Sequence, residues 1–209
     1  MLKALFYPDL PFDRLSIPHM YREVYLDLVY ADIPKDYKVI LDIGANIGIT
    51  AQYFKDRAKK VYSIEPSSQH FEALKKNKEY NQWSNVEIFN IAIADRDGYM
   101  QLNKYDDNYT TYSLTTKFKK DSEIVKTMAI DTFLKENKIE EVDFMKLDVE
   151  GAEDLILRSD GFKKVVNKIK RIEIEFHLLS WKNLIDYLKS LGFQFTNKPA
   201  QANIGLFTR

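Results

Sequence analysis

The sequence predicts an α/β protein, with one mostly parallel sheet and helices on both of its faces. Three observations predict it. Short apolar runs at Lys38–Ile43, Val61–Ile64 and Val86–Ala92 alternate with helix-period segments at Ile47–Arg57 and Ser67–Asn81. Strand, helix, strand, helix, strand in that rhythm is how a parallel sheet is wound. The first apolar run flows straight into a glycine turn at Gly44, and further apolar runs recur at Phe144–Leu147 and Ile169–Phe176. Continuous apolar runs of this kind belong to strands buried on both faces.

The elements follow in order. Pro8, Pro11 and Pro18 break residues 1–18 into irregular chain. His19–Ala31 places Tyr21, Val24, Tyr25, Leu28 and Val29 at helical spacing, and Pro34 ends it. Residues 1–37 therefore read as an irregular segment and a helix packed on the core, and residues 38–209 as the main domain. After the third strand, Asp97-Gly98 marks a turn. Tyr99–Asn103 reads as an edge strand that Glu123–Met128 pairs with, an extra edge hairpin, and Ile130–Glu136 as a short helix. A helix starts at Ala152. Trp181–Leu191 forms another, stopped by Gly192, and Phe193–Thr196 with Ile204–Thr208 makes a terminal antiparallel hairpin.

Composition narrows the function. The 209 residues carry 31 Lys+Arg against 31 Asp+Glu, so no global positive field exists to hold a nucleic acid. Cysteine is absent, which excludes a disulfide scaffold, a thiolate metal site and a cysteine nucleophile. No segment has the roughly 20 apolar residues of a membrane span, and the N-terminus lacks the pattern of a signal peptide. The expectation is a cytoplasmic protein without nucleic-acid or membrane partners. Nothing in the sequence sets its oligomeric state.

Leu41-Asp42-Ile43-Gly44-Ala45-Asn46-Ile47-Gly48 closes the first strand. Glycines there let backbone amides approach a ligand, and the following helix start offers free N–H groups. No Lys-Ser or Lys-Thr follows Gly48, so a triphosphate cradle is not indicated. Asp42 would repel a diphosphate and suits a cationic head. Glu65, ending the second strand and followed by Pro66, stands where a carboxylate accepts both ribose hydroxyls of an adenosine. Together they favour an adenosine ligand without phosphates.

These residues, with Ile64-Glu65-Pro66, Asn81, Asn90-Ile91-Ala92, Phe144-Met-Lys-Leu-Asp148-Val-Glu150-Gly-Ala-Glu153 and Ile172-Glu-Ile-Glu175-Phe-His177, resemble the FkbM family of S-adenosylmethionine-dependent methyltransferases. The resemblance runs from Lys38 to His177. It implies a Rossmann-like class I methyltransferase fold, with a seven-stranded sheet ordered 3-2-1-4-5-7-6, and methyl transfer commonly to an oxygen. Carried onto this chain, it implies that Asp42, Gly44, Ala45, Asn46 and Gly48 meet the methionine part of S-adenosylmethionine. Glu65 and Pro66 would meet its ribose, and Asn90, Ile91 and Ala92 its adenine.

Chemistry is expected from the late acids. Asp148, Glu150 and Glu153 follow one buried strand, and Glu173, Glu175 and His177 alternate along the next. Lys146 and Arg171 are the bland partners for those charges. His177 is the first choice of base because its unperturbed pKa lies near neutrality. Asp148 is next, as base or as a partner of the cofactor amino group, with Glu175 beside them. A divalent metal on Asp148, Glu175 and His177 is the minor reading, because no spacing motif demands it. His19 and His70 have no clustered partners and read as surface or packing residues.

The polar, aromatic stretch 104–122, with Tyr105, Asp106, Asp107, Asn108, Tyr109, Thr110, Thr111, Tyr112, Ser113 and Phe118, suits a small acceptor such as a sugar or glycosylated metabolite, by stacking and hydrogen bonding. The bland alternative is a surface flap, and Lys117, Lys119 and Lys120 most simply form a solvated face. The competing functional reading is a methyltransferase-like binding module without catalysis. A nicotinamide-dependent oxidoreductase ranks last, since no Gly-x-Gly-x-x-Gly turn is present.

Overall fold

The computed structural model of the chain describes residues 16–104, 112–115, 121–177, 181–198 and 203–209. Its main sheet has seven strands: β1 (Tyr37–Ile43), β2 (Ala58–Ile64), β3 (Val86–Phe89), β8 (Phe144–Leu147), β9 (Arg171–Glu175), β10 (Gln194–Asn197) and β11 (Ile204–Thr208). Across the sheet the order is β3-β2-β1-β8-β9-β11-β10. Counted among the sheet's own strands, that is 3-2-1-4-5-7-6. All neighbours are parallel except β11, which pairs antiparallel with both β9 and β10.

The sheet forms because its central strands are apolar on both faces. Leu41, Ile43, Met145, Leu147, Ile172 and Ile174 point into one cluster, and Ile40 and Phe144 into the other. Burying one such side chain contributes about 1.5–3 kcal/mol. Helix α4 (Ile130–Glu136) buries Phe133 and Leu134 in the first cluster, as α7 (Trp181–Ser190) does Leu184, Ile185 and Leu188. Helix α2 (Ile49–Phe54) and α3 (Ser68–Tyr80) supply Phe54 and Leu74 to the second. Ser67 caps α3, accepting from the His70 N–H.

One row of the second face is polar. Ser63, Asp42, Lys146 and Glu173 lie side by side in register across β2, β1, β8 and β9, and all four are buried. Each has a partner. Asp42 accepts from Thr50 Oγ1 at 3.0 and 2.9 Å and from Ser63 Oγ at 3.2 Å, with Lys146 Nζ at 3.8 Å. Glu173 meets Lys198 Nζ at 2.6 Å, and Arg171 lies 3.9 Å from the same carboxylate oxygen. Burial makes such a row costly, and pairing makes it tolerable inside a sheet; among the described residues, Glu173 Oε1 is one buried oxygen that accepts no hydrogen bond.

The structure differs from the sequence reading at three places. The third strand is not one run. β3 ends at Phe89, and β4 (Ala92–Ala94) leaves for a second sheet, ordered β4-β7-β5-β6, with β5 at Gly98–Lys104, β6 at Tyr112–Ser113 and β7 at Asp121–Ala129. Secondly, the β5–β7 pair is antiparallel as expected, but it belongs to this four-stranded sheet and is not an edge hairpin of the main one. Ala92, Leu102 and Val125 give it a small core of its own. Thirdly, the first helix is short. α1 (Ser16–Tyr21) passes into a π turn at Arg22–Leu26, closed by the Asp27 N–H donating to Arg22 O. Leu28 then adopts φ 55, which ends the helix before Pro34 and lets Val29, Tyr30 and Ile33 enter the core. Tyr21 stacks on Tyr25 and Tyr25 meets Tyr53 edge-on, so these tyrosines pack.

Candidate functional site

A cleft of about 580 Å³, counting its open mouth, lies along the C-terminal ends of β1, β2 and β8, roofed by the second sheet. That edge is where open parallel sheets bind ligands. Gly44, Asn46, Glu65, Pro66, His70, Ala92, Asp148 and Glu150 line it, with apolar walls from Ile43, Ile64, Ile93, Leu102 and Leu114.

The glycine turn is built for close approach of protein to protein. Gly44 has φ +82, and a Cβ there would sit 1.7 Å from the Asp148 carbonyl oxygen. Only glycine lets the ends of β1 and β8 come together. Gly48 has φ +94, and a Cβ would strike Leu74 and Trp83, so it serves helix packing and is not among the cleft's lining residues. Asn46, at φ 50, donates its backbone N–H to Glu65 Oε2 at 2.8 Å. Ser67 N–H donates to Glu65 Oε1 at 2.9 Å, and His70 Nδ1 stands 3.7 Å from the same oxygen. Glu65 is thus a buried carboxylate fixed by two backbone amides, with its face to the cleft.

Several sequence expectations about position are corrected. Asp42 is sealed in the polar row, held by Thr50, Ser63 and Lys146, and does not line the cleft. Burial pushes its pKa up, while Lys146 and the two hydroxyls hold it down. Ala45 packs in the core, as does Ile91. Asn90 lies outside the lining, its amide donating to Glu65 O and Pro66 O at 3.0 Å each, which shapes the end of β2. His70, expected at the surface or in packing, is buried and lines the cleft. His19 is exposed, 3.7 Å from Glu23. From the 104–122 stretch, Tyr105 to Thr111 and Thr116 to Lys120, including Phe118, lie outside the described residues. Its described part does reach the site: Leu114 lines the cleft, and Thr115 Oγ1 donates to Gly151 O at 3.0 Å.

At the other end of the cleft the acids gather around one histidine. His177, just beyond β9, bonds Glu153 Oε1 through Nδ1 at 2.8 Å. Glu153 opens α5 (Glu153–Leu157), is buried, and also accepts from the Gly151 N–H at 3.1 Å. Nε2 of the same ring faces Glu150 at 3.4 Å and both Asp148 and Glu175 at 3.7 Å. Glu173 shares this face of β9 with Glu175 but stands further from the strand end, where it meets Lys198 at 2.6 Å. Lys146, buried, donates to Gly44 O at 2.8 Å and pairs with Asp148 Oδ2 at 3.1 Å, tying the glycine turn to the acids. Burial works against its charge, but Asp148 and Asp42 outweigh that and raise its pKa.

The charges tune one another. Burial opposes the His177 imidazolium, yet the Glu153 hydrogen bond with Asp148 and Glu150 pushes its pKa up to about 9. So held, the ring is charged at neutral pH, and is not the free base that its ordinary pKa suggested. Burial pushes Glu150 up to about 7, with Asp148 and Glu175 adding and His177 opposing. Burial and then Asp148 likewise bring Glu175 to about 7. Glu150 also adopts φ 53, a left-handed backbone that a glutamate rarely takes, and strain of this kind gathers at working sites. The sequence reading placed Glu150 and Glu153 near the site without a role. The signal available for them was the Asp-x-Glu-Gly-x-Glu spacing itself.

The sequence profile of the methyltransferase FkbM domain matches residues 42–195. The chain belongs to the FkbM methyltransferase family. Methyltransferase 1 of Beauveria bassiana is 27% identical over 171 residues, covering 71% of this chain and 69% of its own length. The FkbM methyltransferase structure from Methylobacillus flagellatus superposes with a TM-score of 0.58 at 17% identity, over 90% of this chain and 48% of that one. This FkbM domain thus spans about half the length of that relative. M. capricolum TrmK, solved with S-adenosylhomocysteine, superposes with a TM-score of 0.50 at 15% identity, over 88% of this chain and 65% of TrmK. The fold is that of the S-adenosylmethionine-dependent methyltransferases. Among the described residues, no helix is long and apolar enough to cross a membrane.

Proposed function

We propose that this FkbM domain binds S-adenosylmethionine in the cleft and transfers its methyl group to a hydroxyl of a small polar or sugar-containing acceptor. The observation that carries the reading is the pairing of two unlike ends in one cleft. Glu65, held by two backbone amides, offers carboxylate lone pairs to a ribose. Asp148 and Glu150 offer negative charge to a cationic ligand part at the far end. The apolar walls between them suit an adenine. The residues present fit the cofactor, and nothing in the lining suits a phosphate: the cleft's charged residues are three acids. The TrmK complex with S-adenosylhomocysteine supports the same use of this fold.

When bound, S-adenosylmethionine supplies an electrophilic methyl on a positive sulfur. What the chain must add is position and a place for the acceptor's proton. Glu150 is the proton acceptor in this reading, because it lines the cleft and its pKa of about 7 suits a base at neutral pH. In the unliganded protein His177 is an imidazolium that keeps Asp148, Glu150 and Glu175 gathered. Thr115, anchored on Gly151, and Leu114, in the lining, bring the described part of the 104–122 stretch to the cleft. Its tyrosines and hydroxyls are the proposed sugar contacts.

The test is a screen of hydroxyl acceptors with S-adenosylmethionine, read by mass spectrometry as a gain of one methyl and formation of S-adenosylhomocysteine. With a working acceptor, Glu150→Gln should lower kcat by about 10²–10⁴-fold, a far larger loss than it causes in S-adenosylhomocysteine affinity. Full activity in that variant removes Glu150 as the base. Tight cofactor binding with no transfer to any acceptor would instead favour a non-catalytic binding module.

A further inference from the structure

We infer that Asp148, Glu175 and His177 form a divalent-cation site at the acceptor side of the cleft. The inference deepens the methyltransferase reading and rests on it for its purpose. The three side chains come from the ends of two neighbouring parallel strands, β8 and β9. One donor atom from each, two carboxylate oxygens and one imidazole nitrogen, lie within 4.8 Å of one another. Donors held about 2.1–2.5 Å from one ion fall within about 4–5 Å of each other, so the spacing admits an ion with little movement. A mixed oxygen and nitrogen set suits Mn²⁺ or Mg²⁺.

The surroundings assign each donor. His177 Nδ1 is taken by the buried Glu153 at 2.8 Å, which fixes the ring and leaves Nε2 toward Asp148 and Glu175. A carboxylate behind a histidine is the usual support of a ligating imidazole. Lys146 holds Asp148 by Oδ2 at 3.1 Å, leaving Oδ1 on the His177 side. Asn203 Nδ2 donates to Glu175 Oε1 at 3.0 Å and steadies the third donor. The Nε2 contacts at 3.7 Å are too long for hydrogen bonds, so these three groups converge without joining. Asp148 is also a lining residue of the cleft, so the site adjoins it. An ion on these donors keeps the bonds from Glu153, Lys146 and Asn203 that orient them, and takes the place of the Nε2 charge contacts with Asp148, Glu150 and Glu175. It displaces the Nε2 proton to solvent, keeps Nδ1–H on Glu153, and leaves Glu150 free of coordination. An acceptor hydroxyl bound to such an ion would be more acidic and held in place beside the methyl donor.

The experiment is calorimetric titration of the chelator-treated full chain with MnCl₂, then MgCl₂, with S-adenosylhomocysteine titrated in parallel on the same samples. Saturable one-to-one Mn²⁺ binding is expected. Glu175→Gln and His177→Ala should each weaken it at least about 10-fold, while Asp154→Asn, an exposed acid paired with Arg158, leaves it unchanged. Unchanged S-adenosylhomocysteine affinity in both ligand variants shows that they fold. Absence of saturable Mn²⁺ binding up to millimolar metal overturns the proposal, as does wild-type affinity in either variant. The parallel titration separates the two readings: cofactor binding without metal binding removes the ion alone, whereas failure of cofactor binding removes the methyltransferase reading.

Discussion

The two ends of the cleft carry the same residue type and use it in opposite ways. At the β2 end, Glu65 is held by backbone: the N–H groups of Asn46 and Ser67 donate to its two oxygens. At the β8–β9 end, Asp148, Glu150 and Glu175 are held mainly by other charges, His177 and Lys146. Two backbone amides fix the Glu65 carboxylate in place, which suits it to recognition. Side chains do titrate: burial, with the neighbouring acids, brings Glu150 and Glu175 up to about 7 against the pull of His177, and the acids bring His177 up to about 9. In the proposed function, the first end recognises the cofactor and the second reacts.

Lys146 joins the two ends, and its loss is the strongest way to break the contrast. Lys146→Met leaves Asp42 buried without its cation and frees the glycine turn from Asp148. Removing one partner of a buried pair costs about 3–5 kcal/mol, so chemical denaturation should show a loss of that order. A loss under about 1 kcal/mol would mean that the hydroxyls of Thr50 and Ser63 satisfy Asp42 unaided. Next in size is Glu65→Ala, which should weaken S-adenosylmethionine binding by about 1–3 kcal/mol in calorimetry; unchanged affinity removes its ribose role.

The smallest effect lies in pH dependence. Glu150 and Glu175 rise from 4.5 to about 7 on folding, and His177 from 6.5 to about 9. All three bind more protons in the folded state than in the unfolded one. Their contribution to stability is therefore fullest at the acid end and falls as pH rises through about 4.5 to 9. Thermal unfolding of the metal-free, cofactor-free protein should decline across that window, and Glu150→Gln should flatten the decline below pH 7. Parallel curves for the two proteins would show that Glu150 does not titrate in this way.

Much of the fold was legible because it follows from periodicity. The buried strands at Phe144–Leu147 and Ile204–Thr208 and the helix at Ile130–Glu136 sit where the apolar pattern puts them. The second sheet was not legible: nothing local says that Ala92 pairs with Thr127 rather than continuing β3. At the site, Glu65 and Asp148 reach the cleft because the first residue past a strand's end projects from the sheet edge. Asp42 stands two residues before the equivalent position, Gly44. It lies inside the strand, and only the register with Ser63 and Lys146 shows that its charge is answered within the sheet. His70 was missed because its burial depends on how α3 packs, which a lone histidine in a sequence does not reveal.

The most direct measurement of the central claim is a structure of the protein soaked or co-crystallised with S-adenosylhomocysteine. The account predicts the ribose hydroxyls on the Glu65 carboxylate, the adenine between Ile64 and Leu102, and the sulfur toward Asp148 and Glu150. A ligand bound elsewhere on the protein, or Glu65 without contact to the ribose, would contradict it.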